Sequence, residues 1–222
     1  MITLIREASP NWDERREPVS CLVLHYTGMP TARAAIELLK SPGAKVSAHY
    51  VVDEDGAVFS LVPEEKRAWH AGVSYWRGRR MLNDASIGVE IVNPGHEWGY
   101  RPFPPAQMRA VLALSQDILA RHAIAARDVV AHSDIAPDRK QDPGELFDWP
   151  WLAAEGVGIW TEAAAAPGDW RADLAAIGYD TALPEPDVIR AFQRHFLPRH
   201  LTGAIDPLTA ARAAAVRRRA ES

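Results

Sequence analysis

Three apolar runs, each ended or interrupted by a polar residue that a buried strand cannot leave unpaired, constrain the fold most. Residues 19–26 read Val-Ser-Cys-Leu-Val-Leu-His-Tyr, residues 86–93 read Ser-Ile-Gly-Val-Glu-Ile-Val-Asn, and residues 129–132 read Val-Val-Ala-His. Short continuous apolar runs suit strands buried on both faces. An unpaired carboxylate there is costly, so Glu90 is expected to be paired, metal-linked or catalytic, while His25 and His132, at strand ends, are each weak evidence alone. The expected picture is a central sheet with these residues near its strand ends.

The segments between supply the covering layers. A helix carrying Ala34, Ile36, Leu38 and Leu39 follows the first run and closes at Ser41-Pro42-Gly43. Residues 46–53 and 57–62 flank Asp53-Glu54-Asp55-Gly56, a hairpin signal. Residues 66–85 are rich in Trp, Gly and Arg without periodicity, which marks a loop that does more than connect. From Pro105 to about His122 a helix places Met108, Val111, Leu112, Ile118 and Leu119 on one face, and a polar loop spans 133–145. The expected class is α/β, a mixed central β-sheet flanked by helices.

After Trp160 the composition changes. Residues 161–168, Thr-Glu-Ala-Ala-Ala-Ala-Pro-Gly, read as a linker, and helical patterns over 169–177, 185–197 and 207–219 predict a small three-helix domain. The expected organisation is a catalytic domain over 1–160, a linker over 161–168 and a three-helix unit over 169–222.

Composition excludes several classes. With 25 basic and 29 acidic residues the net charge is −4, and Arg217-Arg218-Arg219 is too short a basic run for a nucleic-acid groove. A single cysteine, Cys21, forbids an intrachain disulfide and reads as a buried apolar residue. No stretch is long enough to span a bilayer, and charges follow the first residues at once. The expectation is a cytoplasmic monomer, or a periplasmic one if the N-terminus is truncated.

Two histidines and a carboxylate, His25, His132 and Asp142, are a zinc donor set that leaves a coordination position open. Glu90 can move a proton, and Lys140 can steady developing negative charge. Lys140 lies two residues before Asp142, so an extended loop would turn both to the same side. Taken singly, most of these have plainer readings: Asp142 before Pro143-Gly144 is a good turn former. His96, His122 and His200 are not assigned to the metal, and His49 and His70 are intermediate.

The order of motifs makes the pattern specific. His25-Tyr26-Thr27, Ser47-Ala48-His49-Tyr50, Arg67-Ala68-Trp69-His70-Ala71-Gly72, residues 83–90 (Asn-Asp-Ala-Ser-Ile-Gly-Val-Glu) and residues 132–144 (His-Ser-Asp-Ile-Ala-Pro-Asp-Arg-Lys-Gln-Asp-Pro-Gly) occur in sequence. Over about residues 15–155 the chain resembles the zinc-dependent N-acetylmuramoyl-L-alanine amidases of the AmpD and AmiD type, relatives of the peptidoglycan recognition proteins and phage T7 lysozyme. Residues 169–219 resemble a three-helix peptidoglycan-binding domain through Leu174-Ala175-Ala176-Ile177-Gly178-Tyr179 and Ala191-Phe192-Gln193.

The resemblance implies Zn2+ on His25, His132 and Asp142, with Glu90 as general base and Lys140 stabilising the oxyanion. It implies hydrolysis of the amide joining N-acetylmuramic acid to L-alanine, with muropeptides or peptidoglycan fragments as partners. Tyr26, Lys45, Trp69, His70, Trp76, Arg79, Arg80 and Asn83 are the expected substrate contacts. Met81 stands where many relatives carry arginine, which shifts the expected carboxylate clamp to Arg79 or Arg80. Soluble 1,6-anhydro-muropeptides of cell-wall recycling are the expected substrate. The alternatives are an envelope amidase acting on intact peptidoglycan and a non-catalytic peptidoglycan sensor. Whether the C-terminal unit binds wall fragments or buttresses the catalytic domain stays open.

Overall fold

The computed structural model describes residues 3–222; Met1 and Ile2, the start of the expected catalytic domain, lie outside the described residues. The strands are β1 (Leu4–Arg6), β2 (Trp12–Glu14), β3 (Cys21–Tyr26), β4 (Tyr50–Val52), β5 (Val58–Ser60), β6 (Lys66–Ala68), β7 (Tyr75–Trp76), β8 (Arg79–Arg80), β9 (Ser86–Ile91) and β10 (Val129–Ala131). The helices are α1 (Ala32–Lys40), α2 (Gly95–Trp98), α3 (Pro105–Arg121), α4 (His132–Ile135), α5 (Trp149–Ala154), α6 (Trp170–Ile177), α7 (Glu185–Phe196) and α8 (Pro207–Glu221).

One mixed sheet, in the order β1-β5-β4-β9-β3-β10, organises the molecule. β9, β3 and β10 are parallel neighbours, and the β4–β5 hairpin extends the sheet with its antiparallel pair. The three apolar runs thus lie side by side, β9 and β3 inside the sheet and β10 at its edge, and almost all their apolar side chains are buried. Leu22, Leu24, Ile87, Val89 and Ile91 pack against Val111, Leu114 and Ile118 of α3 and against Trp149 and Leu152 of α5. Cys21 and Val23 face the other way and share a core with Leu174, Ile177, Phe192 and Val216 of the C-terminal helices and with Tyr179, just after α6. Burial raises the Cys21 thiol pKa, as for an inert apolar residue. The three-helix unit therefore rests on the sheet itself.

The α/β class with flanking helices and three C-terminal helices is as expected. Residues 66–85 differ from a plain loop: β6 pairs with β2, and β7–β8 forms a small hairpin. The β2–β6 partners lie more than fifty residues apart, so local periodicity carries no trace of the pairing. The expected loop over 133–145 begins instead with a helical turn from His132, where the Asp134 carboxylate reaches back to accept from the Ala131 N–H at 2.8 Å. Among the described residues no helix is long and apolar enough to cross a membrane.

Candidate active site

Strand register brings the chemistry together. His25 on β3 sits directly opposite Glu90 on β9, and Ala131, just before His132, pairs with Leu24. All three reactive side chains thus emerge at the carboxyl ends of parallel strands, where open α/β sheets form their ligand crevices. Asp142 arrives on the following loop, whose backbone is joined to α4 by the Ser133 N–H donating to the Asp142 carbonyl at 3.0 Å.

The donor atoms converge. His25 Nδ1 lies 2.9 Å from His132 Nδ1 and 3.2 Å from Asp142 Oδ2, and His132 Nδ1 lies 2.9 Å from the same carboxylate oxygen. All three residues are buried, and they form the one such donor group among the described residues. Burial, and then His132, lower the His25 pKa to about 4, so its imidazole is neutral. Burial alone would raise the Asp142 pKa, but His132 and His25 outweigh it and keep the carboxylate ionised. Neutral imidazoles and an ionised carboxylate are what a divalent cation such as zinc requires of its donors.

The opposite ring nitrogens are committed elsewhere. His132 Nε2 lies 3.3 Å from the Ala71 carbonyl, and His25 Nε2 lies 3.0 Å from His70 Nδ1. His70 Nε2 meets Ser86 Oγ at 3.2 Å, and the Ser86 hydroxyl donates to the Leu82 carbonyl at 2.6 Å. This chain assigns the protons to the outer nitrogens and leaves the two Nδ1 lone pairs facing one another and Asp142.

Glu90 is the third element. Burial, then the Asp142 charge, push its pKa well above the usual carboxylate range, with Lys140 opposing. Its Oε2 has no hydrogen-bond partner among the described residues. A buried carboxyl group of this kind is poised to exchange a proton. Glu90, Lys140, Tyr26, Trp69 and His70 line a cleft of about 390 Å³ together with His132 and Asp142.

The remaining expected contacts have partners within the protein or lie outside the cleft lining. Trp76 is 4% exposed, donates from Nε1 to Asp128 and packs edge-on against Tyr179, so the sugar-facing role expected of it has no basis in the cleft. Arg79 donates to Ser20 Oγ, and Arg80 lies 3.4 Å from Asp180 and over the Tyr75 ring; neither is among the residues that line the cleft. Asn83 is buried; its Oδ1 accepts from the His70 and Ala71 N–H groups and shapes the loop from within. Lys45 is exposed and lies outside the residues that line the cleft. His70, expected to touch substrate, has both ring nitrogens engaged within the protein.

Several cleft residues were not singled out from the sequence. Leu38 and Val46 form an apolar wall although 44% and 38% exposed; the sequence marked Leu38 only as part of a helix and Val46 only as the start of a hairpin flank. Arg139 lines the cleft and donates to the Ala71 and Val73 carbonyls, which ties it to the segment after His70. It lies inside the 132–144 motif, and that was its only signal.

Comparison with known proteins agrees with this geometry. A family profile described as N-acetylmuramoyl-L-alanine amidase matches residues 15–145. The N-acetylmuramoyl-L-alanine amidase AmiD of Escherichia coli is 39% identical, over 89% of this chain and 82% of that protein. The 1,6-anhydro-N-acetylmuramyl-L-alanine amidase AmpD of Salmonella typhimurium is 42% identical over 67% of this chain and 88% of its own length. A solved structure of the E. coli AmiD in complex with anhydro-N-acetylmuramic acid-L-Ala-D-gamma-Glu-L-Lys superposes with a TM-score of 0.80 and 37% identity, covering 92% of this chain and 93% of that one.

Proposed function

This chain belongs to the N-acetylmuramoyl-L-alanine amidase family, and we propose that it uses zinc to hydrolyse the amide between 1,6-anhydro-N-acetylmuramic acid and L-alanine in soluble muropeptides. The observation that carries the reading is the meeting of His25, His132 and Asp142 within hydrogen-bond distance of one another, with Glu90 in register beside His25.

His25 Nδ1, His132 Nδ1 and Asp142 Oδ2 would hold the ion. Bound there, zinc would supply Lewis-acid polarisation of a carbonyl and a water of lowered pKa. Glu90 takes a proton from the attacking water as its oxygen adds to the lactyl carbonyl carbon. Lys140 stabilises the resulting oxyanion. Glu90 then returns the proton to the alanine nitrogen as the C–N bond breaks, releasing a lactyl carboxylate and a free peptide amine. Trp69 and the wall of Leu38 and Val46 offer apolar surface to the sugar and its acetyl group, and Tyr26 lines the same cleft.

The anhydro-sugar assignment rests on what the AmpD relatives and the AmiD complex are named for. A second reading, hydrolysis of intact peptidoglycan, is favoured by one observation: the likeness to AmiD spans 89% of the chain and so extends beyond the first 160 residues, whereas that to AmpD covers two thirds of the chain. Incubation with purified anhydro-muropeptide and, separately, with intact sacculi discriminates them. Release of stem peptide from the soluble fragment supports the recycling role; release from sacculi alone overturns it in favour of an envelope role.

A further inference from the structure

Consecutive residues of α7 grip both segments that carry the metal donors. His195 Nδ1 donates to Asp134 Oδ2 at 2.7 Å, and the Tyr179 hydroxyl donates to Asp134 Oδ1 at 2.7 Å. Asp134 is fully buried, lies two residues beyond His132 and also accepts the Ala131 N–H. His195 Nε2 has no partner among the described residues, so Asp134 is the polar anchor of this ring, which is stacked between Trp149 and Phe196.

Arg194, the preceding residue, holds the other segment. It is 8% exposed and places Nε 3.4 Å from Glu145 Oε2, three residues beyond Asp142. Glu145 also accepts from His96 at 3.1 Å, and the Tyr26 hydroxyl meets His96 Nδ1 at 2.9 Å. Tyr100 donates to the Pro143 carbonyl and accepts from the Leu146 N–H, both at 2.8 Å. The loop bearing Asp142 is thus pinned on both sides, and one of its pins comes from α7.

We propose that the C-terminal three-helix unit acts as a brace for the metal centre, with Tyr179, Arg194 and His195 as positioning residues that set the spacing of His132 and Asp142. The inference rests on the metal reading of that site. A buried carboxylate stripped of its donors must neutralise or move toward water. Any such movement of Asp134 displaces the helical turn that His132 begins. The apolar core that Tyr179 and Phe192 share with Val23, Val130 and Ile135 holds the brace against the sheet, unlike a module free to swing on a linker.

The test uses the full chain with Tyr179→Phe, Arg194→Gln and their double variant, His195→Asn as the conservative change, and Arg218→Ala on the exposed face of α8 as control. Tyr179→Phe keeps the ring that packs on Trp76, so loss of fold does not confound it. The zinc Kd, read by chelator competition, is expected to rise about 10- to 100-fold in the double variant. The visible spectrum of the Co2+ form is expected to change with it, while His195→Asn, which can still donate to Asp134, and Arg218→Ala stay near the parent. Hydrogen exchange of the Ser133, Ala136 and Lys140 amides in metal-free protein provides an independent readout and is expected to accelerate. Parent-like Kd, spectrum and exchange in the double variant would overturn the brace. A parent protein that takes up no zinc, yet whose variants exchange faster, would overturn the metal reading and leave the brace standing.

Discussion

His70 Nδ1 lies 3.0 Å from His25 Nε2, on the far side of the ring from Asp142. Because His70 Nε2 is turned to Ser86, the His70 Nδ1 facing His25 is an acceptor. Its partner proton must then sit on His25 Nε2, which leaves the Nδ1 lone pair free for a cation. Replacing the acceptor, as in His70→Phe, is expected to weaken zinc binding by about 10- to 100-fold. Chelator competition measures it; an unchanged Kd would show that the tautomer is set without His70.

Gly88 makes that arrangement possible. A Cβ at this position would overlap the His70 ring, and the strand leaves it no other way out. Gly88→Ala is therefore expected to cost about 1–3 kcal/mol by overpacking and to weaken zinc binding as well. In a double-mutant cycle read by thermal unfolding, the stability cost should largely vanish on a His70→Ala background, because the clash has lost its partner.

Glu90 and Lys140 should separate binding from chemistry. Glu90→Gln keeps the shape of the side chain and no donor atom of the metal set, so zinc content is expected to stay at the parent value while kcat falls by about 10²–10⁴. Lys140→Met is expected to lower kcat by about 10²–10³. Metal analysis alongside turnover checks both; loss of zinc in either variant would assign that residue to the metal instead.

Acid sensitivity is expected from a half-buried carboxylate, Glu64. Burial would raise the Glu64 pKa, but hydrogen bonds from Arg121, His122 and Tyr50 outweigh it and bring the pKa from 4.5 down to about 2. The folded value lies below the unfolded one, so its stabilisation is complete above pH 4.5 and is lost as pH falls from 4.5 toward 2. Glu64→Gln is expected to destabilise the protein by about 2 kcal/mol at neutral pH. Denaturant unfolding of the pair should show the gap narrowing near pH 2; a gap independent of pH would refute the assignment.

Much of this was legible in the sequence because it is local. The apolar runs around His25, Glu90 and His132 announced buried strands, and the polar residues within them were out of place unless they served a site. Asp142 and Lys140 became readable through the motif that surrounds them. What stayed hidden depends on distant pairing. Trp76 looks like a sugar platform until the C-terminal helices close over it, and Arg79 and Arg80 look like clamps until the β7–β8 hairpin turns them away. Asp134 resembled one polar loop residue among several, since its partners Tyr179 and His195 lie 45 and 61 residues further along.

The measurement closest to the central claim is mass spectrometry of anhydro-N-acetylmuramyl tripeptide incubated with the zinc-loaded protein. The account predicts free tripeptide and anhydro-N-acetylmuramic acid, formed at least about 10²-fold more slowly by Glu90→Gln and lost after zinc is removed by a chelator. Intact substrate in the presence of fully zinc-loaded, folded protein would contradict it.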